Sequence, residues 1–261
     1  MVDAVKDLIV KIKKQQFLFE ELVKRDFKKK YKRTVLGMLW SLISPLMQLL
    51  VMSVVFKKVF LSNQPHYTIY LFAGNLTYTF FKDSTTGGMN SLMQNAGIIS
   101  KINLPKYMFL LSKNVASLIN FGLTLLIFFI FVAIDGIAFH FRFFMLIYPI
   151  ICLIVFNVGC GFILSALFVL FKDVQYLYDI FTLMLMYVSA IFYPADILGD
   201  KQKLLYLNPI YVYISYIRHI VIDGYIPGIA THALCFIYAF GALIIGALIY
   251  KKYNYKFMYY M

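Results

Sequence analysis

The stretch Leu204-Leu205-Tyr206-Leu207-Asn208-Pro209-Ile210-Tyr211-Val212-Tyr213-Ile214-Ser215-Tyr216-Ile217-Arg218-His219-Ile220-Val221-Ile222-Asp223 decides how this chain sits in a membrane. It is apolar enough to pass for a spanning helix, yet Asn208-Pro209 breaks it and Arg218-His219 charges its far end. Proline starts a helix well but does not continue one. What remains helical is residues 210–222, about 20 Å at ~1.5 Å per residue, against a hydrocarbon core of ~30 Å. The segment is too short to cross.

Six other segments approach or exceed the ~20 apolar residues a span needs: residues 35–56, 67–92, 107–134, 143–171, 174–193 and 228–250. Turn signals separate them at Asn63-Gln64-Pro65, Asn103-Leu104-Pro105, Asp135-Gly136 and Lys172-Asp173. With six spans and the N-terminus inside, the cytoplasmic side collects the basic head, Lys101, Lys106, Lys113, Lys172, Lys251, Lys252 and Lys256. The outside receives Lys57, Lys58, Arg142, Lys201, Lys203 and Arg218. A seventh span would carry the lysine-rich tail outside, against the excess of Lys and Arg that cytoplasmic loops hold. Residues 194–227 are therefore expected to form an external re-entrant hairpin. Irregular backbone at membrane depth is tolerated where protein buries it or it lines a wet cavity.

Composition agrees. Of 261 residues, 62% are hydrophobic and 14% charged, whereas soluble domains are about 45–50% apolar and about 25% charged. The net charge is +13. In a soluble protein that excess would point to nucleic acid. Beside so much apolar sequence it reads as loops against an anionic leaflet, with membrane lipids and no nucleic acid as partners. Cys152, Cys160 and Cys235 lie in apolar runs and suggest packing rather than a disulfide framework. The N-terminus lacks the features of a secretory signal. No GxxxxGK[ST], GxSxG or HExxH occurs, and the four histidines are dispersed, so no catalytic residue, metal or cofactor is expected in this chain.

Residues 1–33 are amphipathic instead. Leu8, Ile12, Phe19, Val23, Phe27 and Tyr31 recur near one helical face, and Lys11, Lys13, Lys14, Lys24, Arg25, Lys28, Lys29, Lys30, Lys32 and Arg33 fill the rest. Such a helix lies in the membrane interface. The expected fold is thus an all-α membrane protein: this interface helix, then a six-span domain over residues 34–261.

Three features invite functional readings. Lys82-Asp83 interrupts the second span and is followed by Ser84, Thr85, Thr86, Gly87, Gly88, Asn90 and Ser91. This pattern reads as mutual neutralisation with close helix packing, or as a helix facing a hydrated path. Asp179 has the same two readings. Tyr187, Phe192, Tyr193, Tyr206, Tyr211, Tyr213 and Tyr216 gather near the hairpin, either as an interfacial belt or as rings that stack on sugars. Residues 94–106, Gln-Asn-Ala-Gly-Ile-Ile-Ser-Lys-Ile-Asn-Leu-Pro-Lys, read as a short amphipathic cytoplasmic helix ended near Pro105.

The run Lys24-Arg25-Asp26-Phe27-Lys28-Lys29-Lys30-Tyr31-Lys32-Arg33-Thr34-Val35-Leu36-Gly37-Met38-Leu39-Trp40, then Ser44-Pro45, resembles the start of the first span in ABC transporter permeases that export polysaccharides, O-antigens, capsules and teichoic acids. Ile99-Ser100-Lys101-Ile102-Asn103-Leu104-Pro105, Phe171-Lys172-Asp173-Val174 and Tyr206-Leu207-Asn208-Pro209 agree in order and spacing. The resemblance covers nearly the whole chain, with the teichoic-acid branch nearest. It implies a homodimer in the bacterial plasma (inner) membrane, both termini cytoplasmic, bound to two copies of a separate P-loop ATPase that holds the ATP and Mg. The channel would lie at the dimer interface. Coupling to the ATPase would fall to residues 94–105, with Asn95, Gly97, Ile98, Ile99, Lys101, Leu104 and Pro105, and to Lys172 and Asp173. The cargo would be a glycan or polyol-phosphate polymer on undecaprenyl diphosphate, its headgroup met by Lys24, Arg25, Lys28 and Arg33. Trp40, Tyr187, Phe192, Tyr193, Tyr206, Asn208 and Pro209 would line the channel or its external gate. Two other classes remain open. An ion-gradient transporter would need buried carboxylates, of which Asp83 is the deep candidate. A membrane glycosyl or acyl transferase would need a polar catalytic cluster.

Overall fold

A computed structural model describes residues 2–31, 34–59, 65–101 and 104–260. Lys32, Arg33, Asn63, Gln64, Ile102 and Asn103, which carry parts of the expectations above, lie outside the described residues. All regular structure among the described residues is helical.

The helices are α1 (Val2–Tyr31), α2 (Trp40–Val59), α3 (Tyr67–Asn90), α4 (Ala96–Ile99), α5 (Tyr107–Ile134), α6 (Ile147–Leu170), α7 (Val174–Val188), α8 (Pro209–Val221), α9 (Ile229–Tyr253) and α10 (Phe257–Tyr260). Segments of 3-10 helix lead into α2, α4 and α6 and fill Ala195–Leu207 before α8. Four stretches are long and apolar enough to cross a membrane: Gly37–Val55, Tyr107–Ile134, Phe141–Leu170 and Ile229–Tyr253. The protein is a multi-pass membrane protein. α3 is as long as α6 but more polar, and most of it is buried among its neighbours. α7 has 15 residues, about 22 Å at ~1.5 Å per residue.

α6 and α9 run against each other most closely, and two glycines allow it. A Cβ on Gly159 would strike the backbone of Ala242 and Leu243, and one on Gly246 would strike the Gly159 carbonyl. Small residues of this kind let membrane helices approach backbone to backbone.

Contacts sort the chain into two ends. At one, Leu22 of α1, Leu92, Ile99, Phe109, Ala166, Val169, Tyr250 and Phe257 form a common cluster. There Lys106 Nζ also donates to the Asn254 carbonyl (2.8 Å), and burial pushes the Lys106 pKa down. At the other end His66 Nδ1 meets Asp135 Oδ2 (2.5 Å), and Arg142 donates to the Gly224 carbonyl. The N-terminal helix and the C-terminal residues therefore share one end of the bundle.

Candidate functional site

A polar cleft of 380 Å3 opens between α2, α3 and α5. Each helix contributes polar residues at steps of three or four, which places them along one face. α2 supplies Ser41, Ser44 and Gln48; α3 supplies Asn75, Thr79 and Asp83; α5 supplies Ser117, Asn120 and Thr124. Trp40 and Thr34 border the cleft at the end shared with α1, and Phe80 and Phe121, stacked with centroids 4.4 Å apart, form its wall. From Trp40 to Gln48 is roughly 12 Å along α2, so the cleft reaches well into the apolar layer. Pro45, inside α2, removes the N–H that would bond to the Ser41 carbonyl. α2 also leaves Met47, Leu50, Val51, Val54 and Val55 exposed.

The segment from the turn after α7 through α8 is a second structured element. Asn208 caps α8, its side chain accepting from Ile210 N (3.0 Å) and donating to Ser189 Oγ (2.8 Å), and Pro209 takes the first helical position. One turn before the end of α8, Arg218 is 5% exposed. Its guanidinium donates to the carbonyls of Tyr70 (3.0 and 3.2 Å), Ala190 (2.9 Å) and Ile191 (3.2 Å) and lies 3.3 Å from the centre of the Tyr70 ring. Ala190 has φ +49°, a conformation unusual for a residue with a Cβ. Its carbonyl also accepts from Tyr70 Oη (3.2 Å), while Tyr67 Oη donates to the Phe192 carbonyl (2.7 Å). Arg218 is thus a clamp between α3, the non-helical turn after α7 and α8. It is a buried charge rather than a solvent-facing one. A smaller cavity of 240 Å3 beside it is lined by Asp196, Gln202, Tyr211, Ser215, His219 and Asp223, among others.

The remaining predicted residues fall in three places. Tyr187 is exposed on α7; Phe192 is buried, and Tyr193 and Tyr206 are half-buried between α7 and α8, Tyr193 Oη donating to the Tyr187 carbonyl (3.0 Å). Tyr211, Tyr213 and Tyr216 are core residues, with Tyr213 Oη on the Cys235 carbonyl (3.0 Å) and Tyr216 Oη against His232 Nε2 (2.8 Å). Burial and hydrogen bonding account for these three rings, so neither a belt nor sugar stacking is required of them.

On the α1 end, Asp26 is buried and gathers Arg25 (2.8 Å), Lys113 (3.3 Å) and Ser112 (2.9 Å), fastening α1 to α5. Lys24 is exposed and pairs with Glu21 (2.8 Å), which raises its pKa; Lys28 is exposed. The helix expected over residues 94–105 is shorter: one 3-10 turn, Met93–Asn95, then α4. Asn95 and Ile99 are buried, Asn95 Nδ2 donating to the Ser91 carbonyl (2.7 Å), while Ile98 and Leu104 pack partly against the cluster at this end. Gly97 and Lys101 are exposed, Pro105 is half-buried, and Lys172 and Asp173 are exposed in the turn between α6 and α7. Asp179 is exposed on α7, and Lys82 is exposed while Asp83 lines the cleft.

The family model for ABC-2 type transporters matches residues 18–222. The chain belongs to the ABC-2 type transporter family. Two proteins of Klebsiella pneumoniae, each named O-antigen export system permease protein RfbA, are 28% and 26% identical to this ABC-2 chain, covering 92% of it and 95% of themselves. A Myxococcus xanthus protein of the same name is 27% identical over 74% of the chain and 75% of its own length. The ABC-2 match includes the α2–α3–α5 cleft, the exposed residues near α4 and the Arg218 clamp, and it ends before α9.

Proposed function

We propose that this chain is the channel-forming permease subunit of an ATP-driven exporter that moves an undecaprenyl-diphosphate-linked polysaccharide or teichoic acid across the bacterial plasma membrane. The observation that carries this reading is the near full-length likeness to permeases named for O-antigen export. Six spans, formed by α2, α3, α5, α6, α7 and α9, put both termini in the cytoplasm. The cluster that joins Leu22 to Phe257 supports an even number of crossings, because it keeps both ends of the chain on one side. α8, with its cap at Asn208-Pro209, is the returning arm of a re-entrant external hairpin over residues 194–227. α3 is polar because protein surrounds it, and α7 is short because the turn at residues 189–193 continues its path.

The working unit in this proposal is a homodimer with two ATPase subunits, which bind the ATP and Mg. α7 supports the dimer, since Tyr176, Leu177, Ile180, Phe181, Met184 and Tyr187 leave an apolar face uncovered. Gly97, Lys101, Lys172 and Asp173, with Asn95, Ile98, Ile99, Leu104 and Pro105 behind them, form the ATPase-facing surface. Lys24, Arg25, Lys28 and Arg33 meet the diphosphate headgroup, where charge-assisted hydrogen bonds suit phosphate. Trp40, Tyr187, Phe192, Tyr193, Tyr206, Asn208 and Pro209 belong to the path and its gate. Deleting the chain, or its ATPase, is expected to abolish surface polymer while lipid-linked polymer accumulates inside. Surface display that persists without the ATPase would overturn the proposal.

A further inference from the structure

A helix of four residues has almost no stability of its own, so α4 stands where its surroundings put it. Those surroundings come from a distant part of the chain. Leu92 before α4 and Ile99 at its end are buried in one cluster with Tyr250 and Phe257, and Met93, Ile98 and Leu104 pack partly against the same cluster. Phe257 lies in α10, another four-residue helix, yet it is fully buried. Its ring stands edge-on to Tyr250 with centroids 5.1 Å apart, and Tyr250 lies against Phe162 of α6 (4.9 Å). The second tie is Lys106, the residue after Pro105. Its Nζ donates to the Asn254 carbonyl (2.8 Å) just past α9 and lies 5.6 Å from the centre of the Phe257 ring. Carbonyls at the end of a helix lack intrahelical partners and carry partial negative charge, which suits an ammonium. α4 and its flanks are thus fastened to this region twice, by apolar burial and by Lys106. Gly97 and Lys101 are left exposed.

We propose that Lys106 and Phe257 are positioning residues for coupling to the ATPase: with α10 and the end of α9 behind it, α4 is a braced ledge rather than a loose loop. The inference rests on the reading of residues 94–105 as the ATPase-facing segment and deepens it, because Lys106, Asn254 and Phe257 lie beyond that segment. A push at Gly97 or Lys101 then passes through the cluster to α6 and α9, which are packed backbone to backbone at Gly159 and Gly246. Without the brace the same push would move α4 alone. The ABC-2 match ends at residue 222, so α10 and the Asn254 carbonyl lie outside it.

The amides of Asn95, Ser100 and Lys101 report on the brace, since each donates to a carbonyl three or four residues back (3.0–3.1 Å). With the chain and its ATPase assembled in nanodiscs, Phe257→Ala should speed deuterium exchange at these amides at least about tenfold. The amides of α6 and α9 around Gly159 and Gly246 should stay unchanged. Phe257→Leu keeps much of the side-chain volume and should restore most of the protection. Lys106→Met removes the donor from a half-buried position and should speed the same amides about fivefold or more. That variant keeps the test sound if Phe257→Ala misassembles. Hydrolysis supplies the functional arm, with lipid-linked polymer extracted from the source cell as the stimulant. Phe257→Ala and Lys106→Met should lose most of the stimulation and Phe257→Leu should keep it, with the KM for ATP unchanged because the nucleotide binds in the other subunit. Unchanged exchange in Lys106→Met or in a folded Phe257→Ala overturns the brace, and so does full stimulation in a variant whose exchange has risen. Gly97→Phe separates the two ideas. If it loses stimulation while Phe257→Ala keeps it, the positioning role alone falls; if both keep it, the coupling reading falls as well.

Discussion

Arg218 carries charge into a part of the fold where its neighbours are tyrosine rings and backbone, and an unpaired ion there would cost several kcal/mol. Its donors end on three carbonyls that the turn after α7 and the body of α3 leave within reach. Replacing it with Ala leaves those acceptors short of partners at about 1–3 kcal/mol each. A total near 3 kcal/mol would lower Tm by roughly 6–12 °C in a protein of this size. Arg218→Lys keeps the charge but loses the fork, so its Tm should fall between the two. Thermal unfolding in nanodiscs reads both, and an unchanged Tm in Arg218→Ala would refute the clamp. Glycines allow a paired comparison. Gly159→Ala drives a methyl into the α9 backbone and should prevent accumulation of folded protein, whereas nothing lies within 4 Å of a Cβ on Gly122. Gly122→Ala should therefore stabilise α5 by about 0.5–1 kcal/mol. The sequence alone marks Arg218 as an anomaly in an apolar run. It does not show the use, because the Tyr70 carbonyl lies 148 positions away.

At the scale of elements, the helix starts are legible where the signal is local. Asn208-Pro209 announces α8, and the observed Pro209–Val221 lies within a residue of expectation at each end, because a cap and an N1 proline act within one turn. Tyr107–Ile134 agrees with its expected limits. The shorter α4 was less legible, since a few residues between turns gain little from helix propagation and are shaped by packing, here by Asn95 and Ile99. How α1 docks is a tertiary matter also. Asp26 sits among the basic residues of a helix that periodicity alone assigns to the membrane surface, yet it is buried against α5. Asp26→Ala should release α1, leaving Lys113 without that carboxylate. Backbone amides of residues 15–29 should then exchange with deuterium at least about tenfold faster, with α6 and α9 unaffected. The ATPase-facing surface permits a cleaner test. A Cβ on Gly97 meets nothing within 4 Å, so Gly97→Phe should fold normally. On the proposed coupling role it should nevertheless lose most substrate-stimulated ATP hydrolysis; full stimulation would remove Gly97 from the interface.

For the whole molecule, apolar composition is enough to reach a multi-pass helical membrane protein, because lipid restricts spanning structures so strongly; the permease reading rests on the resemblance of particular stretches of sequence. The cleft was not reached that way. Polar residues at steps of three and four on α2 and α5 are a signal, but their meeting depends on how three helices pack; the polar stretch after Asp83 follows the packing reading of its two. Ser84 and Thr85 there turn out to bond Asn114 and Tyr178, which is packing, while Asn75 and Thr79 face the cleft. Topology is where sequence and structure bear on each other most directly. The cluster joining Leu22 with Phe257 keeps both ends of the chain on one side, as an even number of spans requires. Gln202→Cys, in the segment before α8, and Lys256→Cys, near α10, should divide cleanly in intact cells. A membrane-impermeant maleimide should label Gln202→Cys and leave Lys256→Cys unlabelled until the membrane is opened. Native Cys152 and Cys235 are buried and Cys160 half-buried, so the background should be low. Labelling of Lys256→Cys in intact cells would mean that α8 crosses as a seventh span. About 20 Å of helix would then have to bridge a ~30 Å core, with the tail lysines on the side that disfavours them.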